Sequence, residues 1–488
     1  MENQNVWLTY DENSLEQVSE FAAGYMDFLN QGKTERECID YIVSEIEAAG
    51  YMELEKLVRD GVKCKAGDKI YCVHMNKSIA MFQIGTKNME EGMNILGAHI
   101  DSPRLDIKQN PLYEDGGFAY LDTHYYGGVK KYQWVTLPLA IHGVVVKKDG
   151  TTVEISVGEE EDDPVFFVSD LLIHLAQEQL EKKAAKVIEG EALDIIVGNK
   201  PIVIGDENVD CPEEKEASDD TEKKAGKKAA KDAVKKGILD ILKKEYDMDE
   251  EDFISAELEV VPAGKARDAG FDRSMILAYG HDDRVCAYPS MKAMLEVENP
   301  ERTTCCILVD KEEIGSVGAT GMQSHFFENA VAEVMNLTGQ YQELSLRRCL
   351  SHSCMLSSDV SAGYDPSYAS SFDKKNVAYL GYGMVFNKYT GSRGKSGSND
   401  ANAEYLAKLR KVMADHEVHF QTAELGRVDL GGRGTIAYIL ALYGMNVIDS
   451  GVAVLNMHAP WEAISKADLF EVKRGYAAFL KDMNSCNL

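Results

Sequence analysis

Short apolar runs recur along the chain, and acidic or histidine residues follow each of them. Five such runs, at residues 95–98, 275–278, 305–309, 354–356 and 452–455, are mostly aliphatic or β-branched, which predicts buried parallel strands. In an open α/β sheet, side chains beyond the carboxyl ends of the strands face the ligand-binding crevice. We therefore expect one site to gather the polar residues that follow these runs: His99, Asp101, Asp282, Asp283, Glu312, Glu313, Asp359 and His458.

Apolar residues at helical spacing predict the other half of an α/β fold. Spacings of three and four from Val18 to Leu29 predict a first helix. Thr34 and Glu37 have the spacing of a capping box, so a second helix should begin there and stop near Gly50. Further helix signals lie at residues 288–297, 401–415 and 466–480.

The pattern changes after His99 to short alternating runs separated by glycine and aspartate turns. Residues 105–117, 134–146 and 153–157 have this character, which is typical of antiparallel strands. From about residue 251 the α/β alternation returns. We expect one α/β domain formed by residues 1–105 and 251–488, interrupted by a β-rich insert at residues 106–250.

A lysine- and glutamate-rich segment at residues 213–236 lies near the end of this insert. It contains KKAGKKAAKDAVKK; its alanines favour a surface helix, whereas its charge favours disorder. We favour a solvated segment over a basic patch that binds a partner. No function follows from its composition.

The charge of the chain narrows the range of partners. A formal net charge of −29 over 488 residues argues against binding to nucleic acid and to anionic membranes, because both need basic surfaces. The N-terminus has no basic stretch followed by an apolar one, and no segment approaches about 18 uninterrupted apolar residues. We expect a soluble protein that is not secreted.

The cysteines point to a reducing compartment. The ten cysteines include no CxxC pair, and Cys286, Cys305, Cys306 and Cys354 fall in apolar surroundings, as free buried thiols do. A cytoplasmic location fits this usage better than a disulfide framework does.

The acidic and histidine residues have the chemistry of a metal site. Imidazole with carboxylates suits zinc, cobalt or manganese. Two histidines and at least four carboxylates are too many ligands for one tetrahedral zinc, but they are enough for two ions that share a bridging carboxylate. A two-metal hydrolase is the leading interpretation.

Spacing suggests roles within this set. Asp101 lies two residues after His99, on the same side of an extended segment, where it can orient the imidazole. Asp282 has an acidic neighbour whose side chain diverges, and we choose Asp282 as the bridge. Of the adjacent Glu312 and Glu313, one can ligate metal while the other acts as a general base. Each of these residues alone could equally be a solvated or core-satisfied side chain.

Taken together, five motifs resemble the M18 metallo-aminopeptidases across nearly the whole chain. They are GAHIDSPRLDIK, GHDDRVCAYPSM, DKEEIGSVGATGM, SSDVSAGYDP and NMHAPWEA. This resemblance implies an α/β fold in which a mixed-sheet, zinc-dependent catalytic domain is interrupted by a β-rich dimerisation domain. It also implies homo-oligomers, commonly dodecamers built from dimers, that enclose the active sites in a chamber and restrict substrates to peptides.

The resemblance also implies a role for each site residue. Glu312 becomes the general base, Asp101 orients the first histidine, and His174 is contributed to the active site by a neighbouring subunit. The implied ligands of two divalent ions, zinc above all with cobalt or manganese as alternatives, are His99 and Asp359 on one ion, Glu313 and His458 on the other, and Asp282 between them.

The sequence leaves two preferences for the N-terminal residue of the substrate open, acidic and neutral. Members that cleave N-terminal Asp or Glu need a cationic side chain for the substrate carboxylate; the candidates here are Lys388, Arg393, Lys395 and Arg433. The stretch VDLGGRGT at residues 428–435 resembles bacterial members instead, so acidic and neutral preferences both stay open. The glycine-rich run GSVGATG at residues 315–321 could suggest a phosphate-binding loop. It lacks the lysine of a P-loop, so we expect it to turn the chain behind Glu313 instead.

The predicted activity is release of single N-terminal residues from peptides with a free N-terminus. Two alternatives share some of these features. A metal-dependent deacylase would act on N-acyl amino acids and need no free amine. A peptide-binding assembly protein would keep the site without turnover.

Overall fold

The computed structural model describes residues 4–202, 231–391, 393–432 and 434–483. Residues 213–230 of the lysine- and glutamate-rich segment, and Arg433, lie outside the described residues. Within the described part, no helix is both long enough and apolar enough to cross a membrane.

The strands are β1 (Met52–Glu53), β2 (Lys69–His74), β3 (Ser78–Gln83), β4 (Asn94–His99), β5 (Arg104–Asp115), β6 (Phe118–Tyr126), β7 (Leu139–Val146), β8 (Thr152–Val157), β9 (Ile195–Gly198), β10 (Ala256–Pro262), β11 (Arg267–Ala269), β12 (Met275–Ala278), β13 (Thr304–Val309), β14 (Cys354–Ser358), β15 (Ser361–Ala362), β16 (Met384–Asn387), β17 (Phe420–Thr422), β18 (Asn446–Gly451), β19 (Ala453–Leu455) and β20 (Glu462–Ser465). The helices are α1 (Glu12–Gln31), α2 (Glu35–Ala48), α3 (Leu54–Arg59), α4 (Gln177–Leu180), α5 (Ala184–Val187), α6 (Ala233–Tyr246), α7 (His281–Glu296), α8 (Phe326–Leu337), α9 (Glu343–Ser351), α10 (Ala403–Asp415), α11 (Ala437–Ala441) and α12 (Lys466–Asp482).

These elements form two compact units. For the described residues, the α/β unit comprises Met1–Pro103, Tyr126–Val129 and Gly264–Leu488, and the β-rich unit comprises Arg104–Tyr125 and Lys130–Ala263. The expectation of a mixed-sheet α/β fold with a β-rich part is confirmed.

A nine-stranded mixed sheet is the centre of the α/β unit. Its strand order is β1-β2-β3-β13-β4-β14-β18-β16-β17, and β13, β4, β14 and β18 are parallel neighbours. Consecutive residues of a strand face opposite sides of a sheet. Leu96 accordingly belongs to the apolar core that includes residues of α1, α2, α7, α10 and α12. Its neighbour Ile95 belongs to the core that includes residues of α3, α8, α9 and α11.

Burial on both faces explains why these strands are continuous apolar runs. The five runs do not share one sheet, however. Runs 95–98, 305–309 and 354–356 lie in β4, β13 and β14 of the central sheet, whereas β12 and β19 belong to a five-stranded sheet of order β11-β12-β20-β19-β15. β12 pairs antiparallel with both of its neighbours, β11 and β20, so the prediction of a parallel strand was wrong for run 275–278. β19, which contains most of run 452–455, pairs parallel with β15 but antiparallel with β20. The length and the apolar content of a run indicate that the strand is buried, but they do not indicate whether it pairs parallel or antiparallel with its neighbours.

The predicted helices are found, with one shift. α1 contains the 18–29 pattern, and α2 begins after a capping box formed by Thr34 and Glu37. The helix predicted at 288–297 begins earlier, at His281, and has non-helical backbone angles at Asp282 and Asp283.

The β-rich unit contains an antiparallel sheet, as its alternating sequence predicts. The strand order is β8-β7-β10-β5-β6-β9. β7 pairs antiparallel with both β8 and β10, β10 with β5, and β6 with β9.

The cysteine expectation holds at three of the four named positions. Cys286, Cys305 and Cys306 are buried free thiols. Cys354 is disulfide-bonded, so the expectation of a free thiol was wrong there. Apolar surroundings suit a free thiol and a half-cystine equally, since both are buried groups.

Candidate active site

Three neighbouring strands of the central sheet supply one side of the site. β4 ends at His99, which is in register with Val309 at the end of β13. A short 3₁₀ turn, Glu312–Ile314, follows β13, and Asp359 follows β14. Because β13, β4 and β14 are adjacent and parallel, their polar carboxyl ends meet at one edge, as predicted.

Helix α7 brings Asp282 to this edge. The preceding residue, His281, is fully buried, and burial lowers the pKa of its imidazole to about 3. The neutral ring is held at both nitrogens: Nε2 donates to the Ile276 carbonyl at 3.2 Å, and Nδ1 accepts from the Tyr25 hydroxyl at 2.8 Å. The start of α7 is therefore anchored to α1.

The loop after β19 supplies His458. Its backbone has a φ of +64°, and its Nδ1 lies 2.9 Å from the Gly128 carbonyl oxygen. A carbonyl only accepts, so Nδ1 carries the proton and Nε2 presents its lone pair. Nε2 lies 3.3 Å from Asp282 Oδ2 and 3.5 Å from Glu313 Oε1.

Asp282 stands between the two histidines. Its Oδ1 lies 3.2 Å from His99 Nε2, while its Oδ2 faces His458 Nε2. Asp282 is completely buried. One carboxylate thus addresses both imidazoles with different oxygens, which is the arrangement that a bridging ligand requires.

The remaining carboxylates surround His99. Its Nε2 lies 3.9 Å from both Glu312 Oε2 and Asp359 Oδ1. Ligand atoms of His99, Asp282 and Glu313 lie within 4.8 Å of one another, and so do those of His99, Glu312 and Asp359. Two nitrogen lone pairs and four carboxylates in this space fit divalent cations such as zinc.

The pKa values of two residues are shifted in the direction that reduces the negative charge of the cluster. Burial lowers the pKa of His99, but hydrogen bonds to Asp101 and Asp282 outweigh that effect and raise it well above its usual value. Burial also raises the pKa of Asp283 far above the ordinary carboxyl range, and the charges of Asp359 and Asp282 add to that increase.

Asp101 organises the cluster from behind. His99 Nδ1 lies 3.0 Å from the Asp101 carbonyl oxygen and 3.2 Å from Oδ1, which directs Nε2 toward Asp282. The same carboxylate accepts from the backbone N–H groups of Glu312 and Glu313, both at 3.1 Å, and from the Tyr126 hydroxyl at 2.9 Å. One side chain therefore fixes both a histidine tautomer and the two-glutamate turn.

Sequence reasoning missed a second organising carboxylate, Glu462. Its Oε1 accepts from the His458 backbone N–H at 2.7 Å, and its Oε2 accepts from that of Asp282 at 3.0 Å. Burial, with the charge of Asp282, raises its pKa to about 8. Its position four residues after His458 was the available signal, but the contact with Asp282 spans 180 residues.

His174 belongs to the β-rich unit. It lies in a short 3₁₀ helix, Ile173–Leu175, and is exposed. The neighbouring Leu172 and Leu175 are 55% and 67% exposed. The α/β unit by itself gathers every other predicted site residue.

A cleft of about 250 Å³ is lined by Arg393 and Lys395, two of the four cations that are candidates for binding an acidic substrate side chain. Tyr389, Glu424 and Arg427 also line this cleft. The Lys395 ammonium also contacts Asp400 at 2.9 Å. Lys388 lies 3.8 Å from the same aspartate, and Arg433 lies outside the described residues.

Comparison with known proteins finds similar sequences and structures across nearly the whole chain. A family model described as aminopeptidase I zinc metalloprotease (M18) matches residues 28–480. A probable M18 family aminopeptidase 1 from Clostridium acetobutylicum is 58% identical over 481 residues, covering 99% of this chain and 98% of the relative. The crystal structure of an M18 family aminopeptidase from Thermotoga maritima superposes with a TM-score of 0.88 at 41% identity, covering 99% of both chains.

A more distant structural likeness is to a chain of a solved dodecamer. The S. cerevisiae mApe1 dodecamer matches with a TM-score of 0.72 at 19% identity, covering 94% of this chain and 96% of that one. At this identity the likeness concerns the fold alone.

Proposed function

The chain belongs to the M18 family of zinc metallo-aminopeptidases, and we propose that it releases single N-terminal residues from peptides at a two-metal centre. The observation that carries this proposal is the placement of Asp282 between His99 and His458, with one oxygen 3.2 Å from the first imidazole and the other 3.3 Å from the second.

The ligands divide into two sets around this bridge: His99 and Asp359 would hold one ion, and Glu313 and His458 the other. Bound divalent ions supply Lewis acidity to a carbonyl and lower the pKa of water. Zinc is the family metal, and cobalt or manganese would accept the same ligands. The Nδ1 of His99 faces the carbonyl and carboxylate oxygens of Asp101, and the Nδ1 of His458 faces the Gly128 carbonyl oxygen. Both Nε2 atoms are therefore available as ligands.

Glu312 is the proposed general base. It lies beside His99, whereas Glu313 lies beside His458, so the adjacent glutamates have different surroundings. Asp101 holds the backbone of both. Glu312 would take the proton from the attacking water and deliver it to the leaving amine.

The proposal also includes the way in which the chains assemble. The β-rich unit would mediate dimers, dimers would build a dodecamer, and His174 would enter the active site of a neighbouring subunit. The exposed Leu172 and Leu175 beside His174 support a contact surface there, because exposed apolar patches often mark interfaces. Enclosure would restrict substrates to peptides. The cytoplasm remains the expected compartment.

The decisive experiment compares free and blocked peptides. Zinc-loaded protein should release one residue from peptides with a free N-terminus, leave their N-acetylated forms intact, and lose activity with a chelator. Hydrolysis of N-acyl amino acids instead of free peptides would replace this proposal with deacylation.

Two variants, assayed for turnover and for zinc content, distinguish the proposed roles of Glu312 and Glu313. Glu312→Gln should keep nearly full zinc content while turnover falls by about 10²- to 10⁴-fold, since the variant lacks a proton acceptor. Glu313→Gln is the matched control and should lose zinc affinity. Full activity of Glu312→Gln would contradict its assignment as the base.

A further inference from the structure

The β-rich unit contains an apolar cavity that has no part in the proposed reaction. Its volume is about 500 Å³, which lies in the range of small-molecule binding sites. The described residues that line it all belong to this unit. Among them, only Asn199 and Tyr246 have an amide or hydroxyl group in the side chain, and none has a charged side chain.

The sheet of the β-rich unit closes on itself around this cavity. β7 is its second strand and β9 its last. A short segment links these two strands: the backbone N–H groups of Leu139 and Phe166 each donate to the other's carbonyl at 2.8 Å, and that of Ile196 donates to the Phe167 carbonyl at 2.9 Å. The interior of a small closed sheet is either filled by side chains or holds one small ligand.

Strand register gives the face of the sheet that lines the cavity its apolar character. Ile141 of β7 lies opposite Val157 of β8, and Gly143 of β7 lies opposite both Ile155 of β8 and Leu258 of β10. Side chains that are opposed across neighbouring strands share one face of a sheet. Gly143 contributes no side chain to this row, so part of the interior stays unfilled.

Helix α6 forms another wall of the cavity. Four of its residues line the cavity at helical spacing: Ile238, Ile241, Leu242 and Tyr246. The start of the helix is attached to β5, because the backbone N–H groups of Val234 and Lys235 donate to Glu114 Oε2 at 2.8 and 2.9 Å. The cavity therefore lies between the sheet and a helix that is anchored to it.

The cavity has a buried floor and an exposed rim. The buried lining residues include Leu121, Ile141, Ile155, Met248 and Leu258. At the rim, Phe118, Val165 and Ile241 are 37%, 51% and 54% exposed. A concave pocket of this kind fits a small molecule, whereas contacts between protein chains extend over larger surfaces.

We propose that this cavity binds an uncharged, apolar small molecule, at a site separate from the proposed metal ligands in the α/β unit. Apolar walls stabilise such a ligand because binding removes its surface from water. A charged group would lose its hydration without a counter-ion among the described lining residues. The Tyr246 hydroxyl and the Asn199 amide provide hydrogen-bonding groups for one polar group of the ligand.

The test compares two fluorescent probes that share a ring system, neutral N-phenyl-1-naphthylamine and the anion 8-anilino-1-naphthalenesulfonate. The full-length, zinc-loaded protein should bind one neutral probe per chain, and 1-decanol should displace it. The sulfonate should bind roughly tenfold more weakly or worse, because its charge would be desolvated in the cavity. Equal affinity for the two probes, or no binding of the neutral probe, would overturn the inference.

A substitution at the rim connects the probe to this cavity. Ile241→Glu should weaken binding of the neutral probe roughly tenfold, because it removes an apolar contact and introduces a charge. Ile254→Glu is the matched control. Ile254 belongs to the same unit and is 65% exposed, but it does not line the cavity, so this variant should bind the probe like the wild type.

A second variant changes the volume of the cavity without changing its charge. Val157→Phe should occupy part of the cavity and weaken probe binding several-fold, while the unfolding temperature stays equal or rises, since filling a cavity commonly stabilises a protein. Unchanged probe affinity in both Ile241→Glu and Val157→Phe would place the probe elsewhere and overturn the inference.

The state of assembly distinguishes a small molecule from a second copy of the chain as the occupant. The assembled wild-type protein should bind the neutral probe as tightly as dissociated chains do. If only dissociated chains bind the probe, a second copy covers the cavity and the small-molecule site is excluded. Peptidase activity has no role in these measurements, so their outcome is independent of the proposed function.

Discussion

Two buried carboxylates, Asp101 and Glu462, position other residues of the candidate active site. Asp101 holds His99 together with the Glu312–Glu313 turn, and Glu462 holds the backbones of Asp282 and His458. The first was predicted from its spacing to His99. The second was not, because nothing within the NMHAPWEA motif indicates a partner that is 180 residues away.

Glu462→Gln should weaken zinc binding at the set formed by Asp282, Glu313 and His458. A glutamine offers one carbonyl oxygen where two backbone N–H groups need acceptors, so its amide group would face one of those donors. Loss of such a supporting contact typically lowers metal affinity about 10- to 100-fold.

Competitive zinc titration checks this, because it reports affinity without depending on turnover. Glu404→Gln, at an exposed position in α10, is the matched control and should bind zinc like the wild type. If Glu462→Gln retains both zinc affinities, the glutamate has no positioning role.

Among the secondary-structure elements, the contact between α1 and α7 connects the start of the chain to the site. Tyr25 of α1 donates to His281 at the first residue of α7, directly before Asp282. The apolar spacing that predicts α1 also marks Tyr25 as a residue of its buried face. That spacing does not reveal its hydroxyl partner.

Tyr25→Phe should lower the free energy of unfolding by about 1–3 kcal/mol, because it leaves His281 Nδ1 buried without a donor. Urea denaturation at fixed zinc concentration measures the change. Tyr132→Phe, at a position 42% exposed, should be neutral. An unchanged midpoint for Tyr25→Phe would show that the hydroxyl contributes no net stability.

For the molecule as a whole, the proposed assembly can be tested by changing the surface around His174. If the surface around His174 is an interface, Leu172→Asp would place an unpaired charge in it, at a cost of about 3 kcal/mol or more. Association should then weaken roughly a hundredfold or more, with a fall in peptidase activity.

Light scattering after size exclusion measures the mass of the assembly. Leu8→Asp, at a position 75% exposed in the α/β unit, is the control and should keep the wild-type mass. An unchanged mass and activity for Leu172→Asp would remove both the interface and the shared His174 from the proposal.

The residue types and their order along the chain were enough to predict the α/β fold, its β-rich part and the clustering of histidine and carboxylate side chains. These properties follow from local features: strand burial leaves apolar runs, and metal chemistry requires histidine and carboxylate. Tertiary structure alone decided that β12 and β19 pair antiparallel with β20, and that one face of the β-rich sheet lines an apolar cavity. Strand partners and shared cavities join residues far apart in the chain, so no local pattern encodes them.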